Sequence, residues 1–199
     1  LVQFRALGLT GKLFLNTSPS LHQNGENACS LSTLFSTLHD REFEQVVVEL
    51  TEDCSVGSMN MLHEVVNQYR ATGVQLAIDD LGQGFSTLKL WTELRPEYVK
   101  IDRFFICGIH EDPMRQQLVR SICEIAFQAQ STVIAEGIET QEELQTLRRL
   151  GVMCGQGFFL GRPEKNPKTC LDTATLALFR SPFGTSTLTS LGRADKPVT

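Results

Sequence analysis

The chain has 199 residues, 41% of them hydrophobic and 21% charged. Those proportions exclude wholesale disorder, a collagen-like repeat and a coiled-coil rod, and they suit one globular domain with or without a tail. A formal net charge of −5 leaves no broad basic surface to attract DNA or anionic lipid, so a phosphate-bearing ligand needs local cations or metal ions.

Residues 1–7 read as the end of a helix closed by Gly8, so this helix is expected to begin upstream of Leu1. From there, short apolar or β-branched runs alternate with helical patterns, the sign of βα units and a parallel sheet. Strands are predicted over residues 12–17, 45–51, 74–79, 98–101, 132–136 and 152–158. Between them, Met59, Leu62, Val65, Val66 and Tyr69 mark one helical face. Leu118, Ile122, Ile125 and Ala129 mark a second, and Leu144, Leu147 and Leu150 a third. Asp112 before Pro113 predicts an N-cap, and Thr140 with Glu143 predicts a capping box whose helix Gly151 closes. A last helix is predicted over 168–179. Residues 1–180 are thus expected to form one barrel domain, and 181–199, rich in Ser, Thr, Gly and Pro, a tail or linker.

No apolar run approaches the ~20 residues of a membrane span, and the start lacks a signal peptide's basic flank and apolar core. A cytoplasmic location without membrane insertion is expected. Six cysteines (Cys29, Cys54, Cys107, Cys123, Cys154, Cys170) stand far apart with no CxxC, so reduced, buried thiols are expected. The four histidines form no metal-ligand spacing.

The acids carry the information, because each apolar run ends in a carboxylate or amide. The runs deliver Asn16, then Glu49 with Glu52 behind it, Asp79 and Asp80, Lys100 and Asp102, and Glu136 and Glu139. A (β/α)8-type barrel builds its active site from such strand ends, whereas an open doubly wound sheet would spread them along an edge. So many carboxylates in one mouth call for divalent cations, and oxygen ligands without His or Cys suit Mg2+, Mn2+ or Ca2+. Two such ions can activate a water and steady the departing oxygen of a phosphodiester.

Plainer readings stand beside these. Asp79 and Asp80 before Gly82 are as consistent with a turn as with ligation, and strand alternation aims them to opposite faces unless the chain bends. Glu139 could simply favour a helix N-terminus. Lys100 lies between Val99 and Ile101 in an apolar strand and needs a partner, which acids on neighbouring strands would supply. Gly82-Gln83-Gly84 and Gly155-Gln156-Gly157 read as tight turns with close backbone approach rather than phosphate loops. A place at the mouth stays open for Gln156, and both a phosphate-facing and a solvated role stay open for Arg162.

Taken together, the Asn16 strand, Glu49-Leu50-Thr51-Glu52, Asp79-Asp80-Leu81-Gly82-Gln83-Gly84-Phe85-Ser86, Lys100-Ile101-Asp102, Ala135-Glu136-Gly137-Ile138-Glu139-Thr140 and Gly155-Gln156-Gly157-Phe158 resemble the EAL domain family. That family comprises bacterial cyclic di-GMP phosphodiesterases and degenerate, binding-only relatives. The match runs from Gly11 to Pro163 in the family's order. The resemblance implies a TIM-like α/β barrel that hydrolyses cyclic di-GMP to pGpG with Mg2+ or Mn2+. It implies that Asn16, Glu49, Asp79, Asp80 and Glu136 hold metal, and that Lys100, Glu136 and Asp80 act on water. Glu52 would brace the loop after Asp80, while Asp102, Glu139 and Gln156 would lie near the substrate or behind the ligands.

Two departures go with it. The family's Glu-Ala-Leu triplet belongs to a first strand upstream of Asn16 and does not occur in these residues. One metal-ligating glutamate and one barrel strand are therefore expected to be missing, with poor turnover as the result. The family's DDFGTG loop, which supports metal binding and the dimer interface, reads here as Asp79-Asp80-Leu81-Gly82-Gln83-Gly84. The resemblance further implies a homodimer and neighbouring sensory or diguanylate cyclase domains. A catalytically impaired module that binds cyclic di-GMP, or a signalling scaffold, is the alternative expectation.

Overall fold

The computed structural model describes residues 4, 6–17, 43–51, 59–82, 85–164 and 169–180. Strands β1 (Leu13–Thr17), β2 (Val46–Leu50), β3 (Gln75–Leu81), β4 (Tyr98–Ile101), β5 (Thr132–Ala135) and β6 (Cys154–Gly155) form one sheet. Every pair is parallel and the spatial order is the chain order, β1 to β6. A doubly wound sheet reverses its order at a switch point, whereas a barrel adds each strand beside the last, so this winding is that of an incomplete barrel, as expected.

Five helices connect and cover the sheet: α1 (Met59–Ala71), α2 (Phe85–Leu94), α3 (Arg103–Ile106), α4 (Pro113–Ala129) and α5 (Gln141–Arg149). Burial on both faces explains why the strands read as continuous apolar runs rather than alternating ones. In β2 all of Val46, Val47, Val48, Glu49 and Leu50 are buried. Leu62, Val66 and Tyr69 of α1 and Leu144 and Leu147 of α5 are all buried, as the first and third helical faces predict. The second face is corrected. On α4 the buried residues are Val119, Ile122 and Ala126, while Leu118 and Ile125 are exposed. Both sets share Ile122, but on either side of it burial falls one residue later, on Val119 rather than Leu118 and on Ala126 rather than Ile125, so the buried stripe carries a valine and an alanine in place of two larger side chains.

Helix ends follow the sequence closely. Asp112 Oδ1 accepts from Met114 N at 2.9 Å and Arg115 N at 3.1 Å, with Pro113 opening α4. Thr140 and Glu143 form a complete capping box, and Gly151 follows α5 at φ 95°, the left-handed conformation glycine adopts freely.

The predicted last strand, 152–158, shrinks to Cys154–Gly155. A Cβ on Gly157, at φ 158°, would overlap the backbone of Ile138. The chain is thus packed against the loop after β5 instead of running on beside the strand. Ile138 N donates to Gln156 O at 3.1 Å and Phe159 N to Ile138 O at 3.0 Å. The close-approach reading holds for Gly82 too, since a Cβ there at φ 110° would strike the ring of Phe105.

Residues 170–180 are the described part of a second unit. It contains α6 (Thr173–Arg180), started by Asp172, which accepts from Thr175 N at 2.9 Å and Thr175 Oγ1 at 2.7 Å. The expected tail over 181–199 lies outside the described residues. The described cysteines are free as expected, but Cys107, Cys154 and Cys170 are exposed rather than buried; Cys29 and Cys54 lie outside the described residues. Among the described residues no helix is long and apolar enough to cross a membrane.

Candidate active site

The parallel register sets the site. Asn16 pairs with Glu49 across β1 and β2, Glu49 with Ala77, Ala77 with Tyr98 and Lys100 with Ile134. Since side chains two apart share a face, Asp79, Lys100 and Glu136 follow Ala77, Tyr98 and Ile134 on one side of the sheet, at its carboxyl end. Lys100 Nζ is 2.9 Å from Glu49 Oε1, 2.9 Å from Asp79 Oδ1 and 2.7 Å from Glu136 Oε1. Lys100 and Glu49 are each 4% exposed, so the lysine's need for partners, evident in the sequence, is met by carboxylates from three neighbouring segments.

Burial works against the charge on Lys100, but its hydrogen bonds to Glu136, Glu49 and Asp79 outweigh that cost and hold its pKa above the ordinary lysine value. Glu136 is pushed up to about 7, chiefly by burial, with Lys100 pulling it down and the charges of Asp79 and Asp80 pushing it further up. One lysine does not neutralise so many acids.

Asp80 joins the cluster through a local irregularity. Alternation alone aims Asp79 and Asp80 apart, but the β3–β4 register shifts between Ile78 and Leu81, and Asp80 sits at φ 53°. Aspartate tolerates that left-handed conformation better than most residues. With the chain bent there, one ligand atom each from Asp79, Asp80 and Glu136 lies within 4.8 Å of the others. The bend that alternation requires for the two to share a face is thus present. Asp80 also shares a side-chain hydrogen bond with Asp102; burial, then Asp79 and Asp102, raise its pKa. Asp102 in turn caps α3, accepting from Phe104 N at 2.8 Å.

Gln156 belongs at the mouth, where its Nε2 donates to Glu136 Oε1. Glu139 pairs with Arg103 at 2.9 Å instead of joining the acids around Lys100. Asn16 is exposed beside Glu49 on the sheet edge. Arg162 lies over the ring of Phe158, 4.3 Å from its centroid. Leu81 is buried and pairs with Ile101. Glu52, Gln83 and Gly84 lie outside the described residues.

Two residues escaped the sequence reading as parts of this mouth. Arg103 lays its side chain against Gly137, where it fills the place of a Cβ. Glu143 was legible as a capping residue, yet it is 3% exposed and its carboxylate also accepts from Gly108 N at 2.8 Å. The capping-box pattern signalled the helix start and gave no hint of that third amide.

An all-parallel β/α sheet wound in chain order, with acids gathered around a buried lysine at its carboxyl end, defines an incomplete barrel with an acidic mouth. The chain belongs to the EAL domain family, which residues 1–163 match. Cyclic di-GMP phosphodiesterase TpdA of Vibrio parahaemolyticus is 31% identical over 145 residues, 73% of this chain and 25% of that protein. Cyclic di-GMP phosphodiesterase PdeR of Escherichia coli is 34% identical over 134 residues, 66% of this chain and 20% of that protein. The structure of Klebsiella pneumoniae BlrP1 in a manganese and cyclic di-GMP complex superposes with a TM-score of 0.70 at 33% identity, over 81% of this chain and 41% of that one. The chain thus spans a quarter or less of these curated relatives.

Proposed function

We propose that this domain hydrolyses cyclic di-GMP to pGpG with Mg2+ or Mn2+. The observation that carries the reading is the Lys100 ammonium held by Glu49, Asp79 and Glu136, with Asp80 gathered beside Asp79 and Glu136. The donors are carboxylate oxygens, with no histidine or cysteine among them, a set that fits hard divalent cations. Glu49, Asp79, Asp80, Glu136 and Asn16 would hold the metal. Bound there, two such cations would activate a water and neutralise charge on the departing oxygen.

The chain's own groups have separate tasks. Lys100 spends its three N–H donors on Glu49, Asp79 and Glu136, which keeps these carboxylates in register, and it would turn a donor to an attacking water once a metal ion takes over one of them. Gln156 holds one oxygen of Glu136 and Asp102 steadies Asp80; Glu52, outside the described residues, would brace the loop after Asp80 as the resemblance implies. Arg103 and Glu139 fix the rim. A homodimer through the loop after Asp80, a cytoplasmic location and neighbouring sensory or diguanylate cyclase domains belong to the same proposal. Sedimentation that finds monomer alone, with and without cyclic di-GMP, would remove the dimer.

The test is chromatography of cyclic di-GMP incubated with the chain and Mg2+ or Mn2+. Production of pGpG that is lost in Glu136→Ala supports the enzyme. A second reading, binding without cleavage, is favoured by the loop Asp79-Asp80-Leu81-Gly82-Gln83-Gly84, which departs from the DDFGTG that the resemblance leads one to expect. Calorimetric binding of cyclic di-GMP without pGpG would select it.

A further inference from the structure

We propose that Glu143 is a positioning residue for the acidic mouth, setting the loop that carries Glu136 and Glu139, beyond its task as a helix cap. The inference rests on the phosphodiesterase reading for its kinetic consequence, but its structural content stands on Glu143 alone.

A glutamate at the third position of a helix ordinarily reaches back to the N-cap amide. Glu143 does this with Oε2, which accepts from Thr140 N at 3.0 Å and from Glu139 N at 2.8 Å. Its other oxygen does something a cap does not require. Oε1 crosses to the turn after α3 and accepts from Gly108 N at 2.8 Å, 35 residues away in the chain. Gly108 is itself left-handed at φ 70°. One buried carboxylate therefore fastens the loop after β5 to the segment after β4.

Those two segments carry the chemistry. The β4 segment holds Lys100, Asp102 and Arg103; the β5 segment holds Glu136, Gly137 and Glu139. Between the tie at Glu143 and the Lys100–Glu136 contact lie Gly137, flush against Arg103, and the Arg103–Glu139 ion pair. Glu136 N donates to Ile101 O and Ile138 N to Gln156 O, with Gly137 between them at φ 70°, so it is the remaining course of the loop, Glu139 and Thr140, that depends on what holds its far end. The far end is held at Glu139 and Thr140 by Glu143. Three backbone N–H groups satisfy a carboxylate that is almost fully removed from water, and charge-assisted bonds of this kind are the stronger class. Without the tie, the Glu139–Thr140 end is free to shift, and the Arg103–Glu139 pair that flanks Gly137 and Glu136 shifts with it.

Glutamine separates the two tasks. Glu143→Gln keeps one oxygen, enough for the capping box, and places an NH2 donor where a second acceptor is needed, so the link to Gly108 is lost. Glu143→Ala loses both. Supporting groups of metal and catalytic ligands typically change metal affinity or activity by about 10–100-fold. The expected result is kcat for cyclic di-GMP lowered within that range in Glu143→Ala and less in Glu143→Gln, with KM little changed. Mn2+ affinity by calorimetry should weaken in the same order. Leu147→Ala, which removes a buried side chain from the same helix away from the loop, serves as the stability control. It should lower the melting temperature and leave kcat and Mn2+ affinity near wild type.

Folded Glu143→Ala with wild-type kcat and Mn2+ affinity overturns the proposal. So does Leu147→Ala that lowers kcat as much at an equal loss of melting temperature, since the role is then stability alone. If the wild-type chain neither cleaves cyclic di-GMP nor binds Mn2+, the phosphodiesterase reading fails. Amide hydrogen exchange then decides the tie by itself: faster exchange at Gly108, Glu139 and Thr140 in Glu143→Ala supports it, and unchanged exchange there refutes it.

Discussion

Lys100 and Glu136 meet at 2.7 Å across β4 and the end of β5, although Lys100 pairs in the ladder with Ile134. The offset of two residues keeps both side chains on one face and lets the lysine reach forward along the sheet to an acid just past the strand end. That reach makes Lys100 the centre of the mouth.

Replacing Lys100 by methionine removes the cation from three acids at once. Deleting one partner of a buried ion pair costs roughly 3–5 kcal/mol because the remaining charge stays buried. The Lys100→Met chain is expected to lose stability in that range by urea unfolding at neutral pH. The loss should shrink as the acids are protonated at lower pH.

Gly157 tests the packing of the last loop against the mouth. A Cβ there would enter the backbone of Ile138, which has nowhere to withdraw while Ile138 N is bonded to Gln156 O. Gly157→Ala should cost about 1–3 kcal/mol through overpacking. It should also displace the Gln156 amide from Glu136, so kcat falls along with the melting temperature. Gly151→Ala, where a Cβ meets open space but φ is 95°, should lower stability without touching kcat.

The acid limb of stability should report Glu143. Burial alone would raise its pKa, but the amides of Gly108, Glu139 and Thr140 outweigh that and hold it below the ordinary value of 4.5. A depressed carboxylate gives its full stabilisation above the unfolded value and loses it as the pH falls through the folded one. The difference in unfolding free energy between wild type and Glu143→Gln should be constant near neutrality and shrink on acidification below 4.5. A difference that grows on acidification would contradict the assignment.

The sequence made the winding and the acid-tipped strands legible because apolar runs ending in Asn16, Glu49, Asp79, Lys100 and Glu136 repeat at βα spacing. Lys100 was readable as a partnered lysine from its apolar neighbours alone. What stayed hidden depends on backbone geometry that no periodicity encodes. The register shift and positive φ at Asp80 bring two adjacent aspartates to one cluster. The shortening of β6 comes from Gly157 resting on Ile138, a contact between segments distant in sequence. On α4, alternation of large and small apolar residues blurred the phase, so Leu118 and Ile125 read as core when Val119 and Ala126 are. Glu143 showed its local role through the capping box, while its bond to Gly108 required the tertiary fold.

The most direct test of the central claim is to incubate this chain and its Glu136→Gln variant with cyclic di-GMP and Mn2+ and to follow pGpG by chromatography. The account predicts metal-dependent pGpG from the wild-type chain, abolished by chelator and lowered at least about 100-fold in the variant, in line with removal of a group acting directly on the reaction. Equal turnover by the two chains, or no cleavage and no cyclic di-GMP binding by a folded wild-type chain, would contradict it.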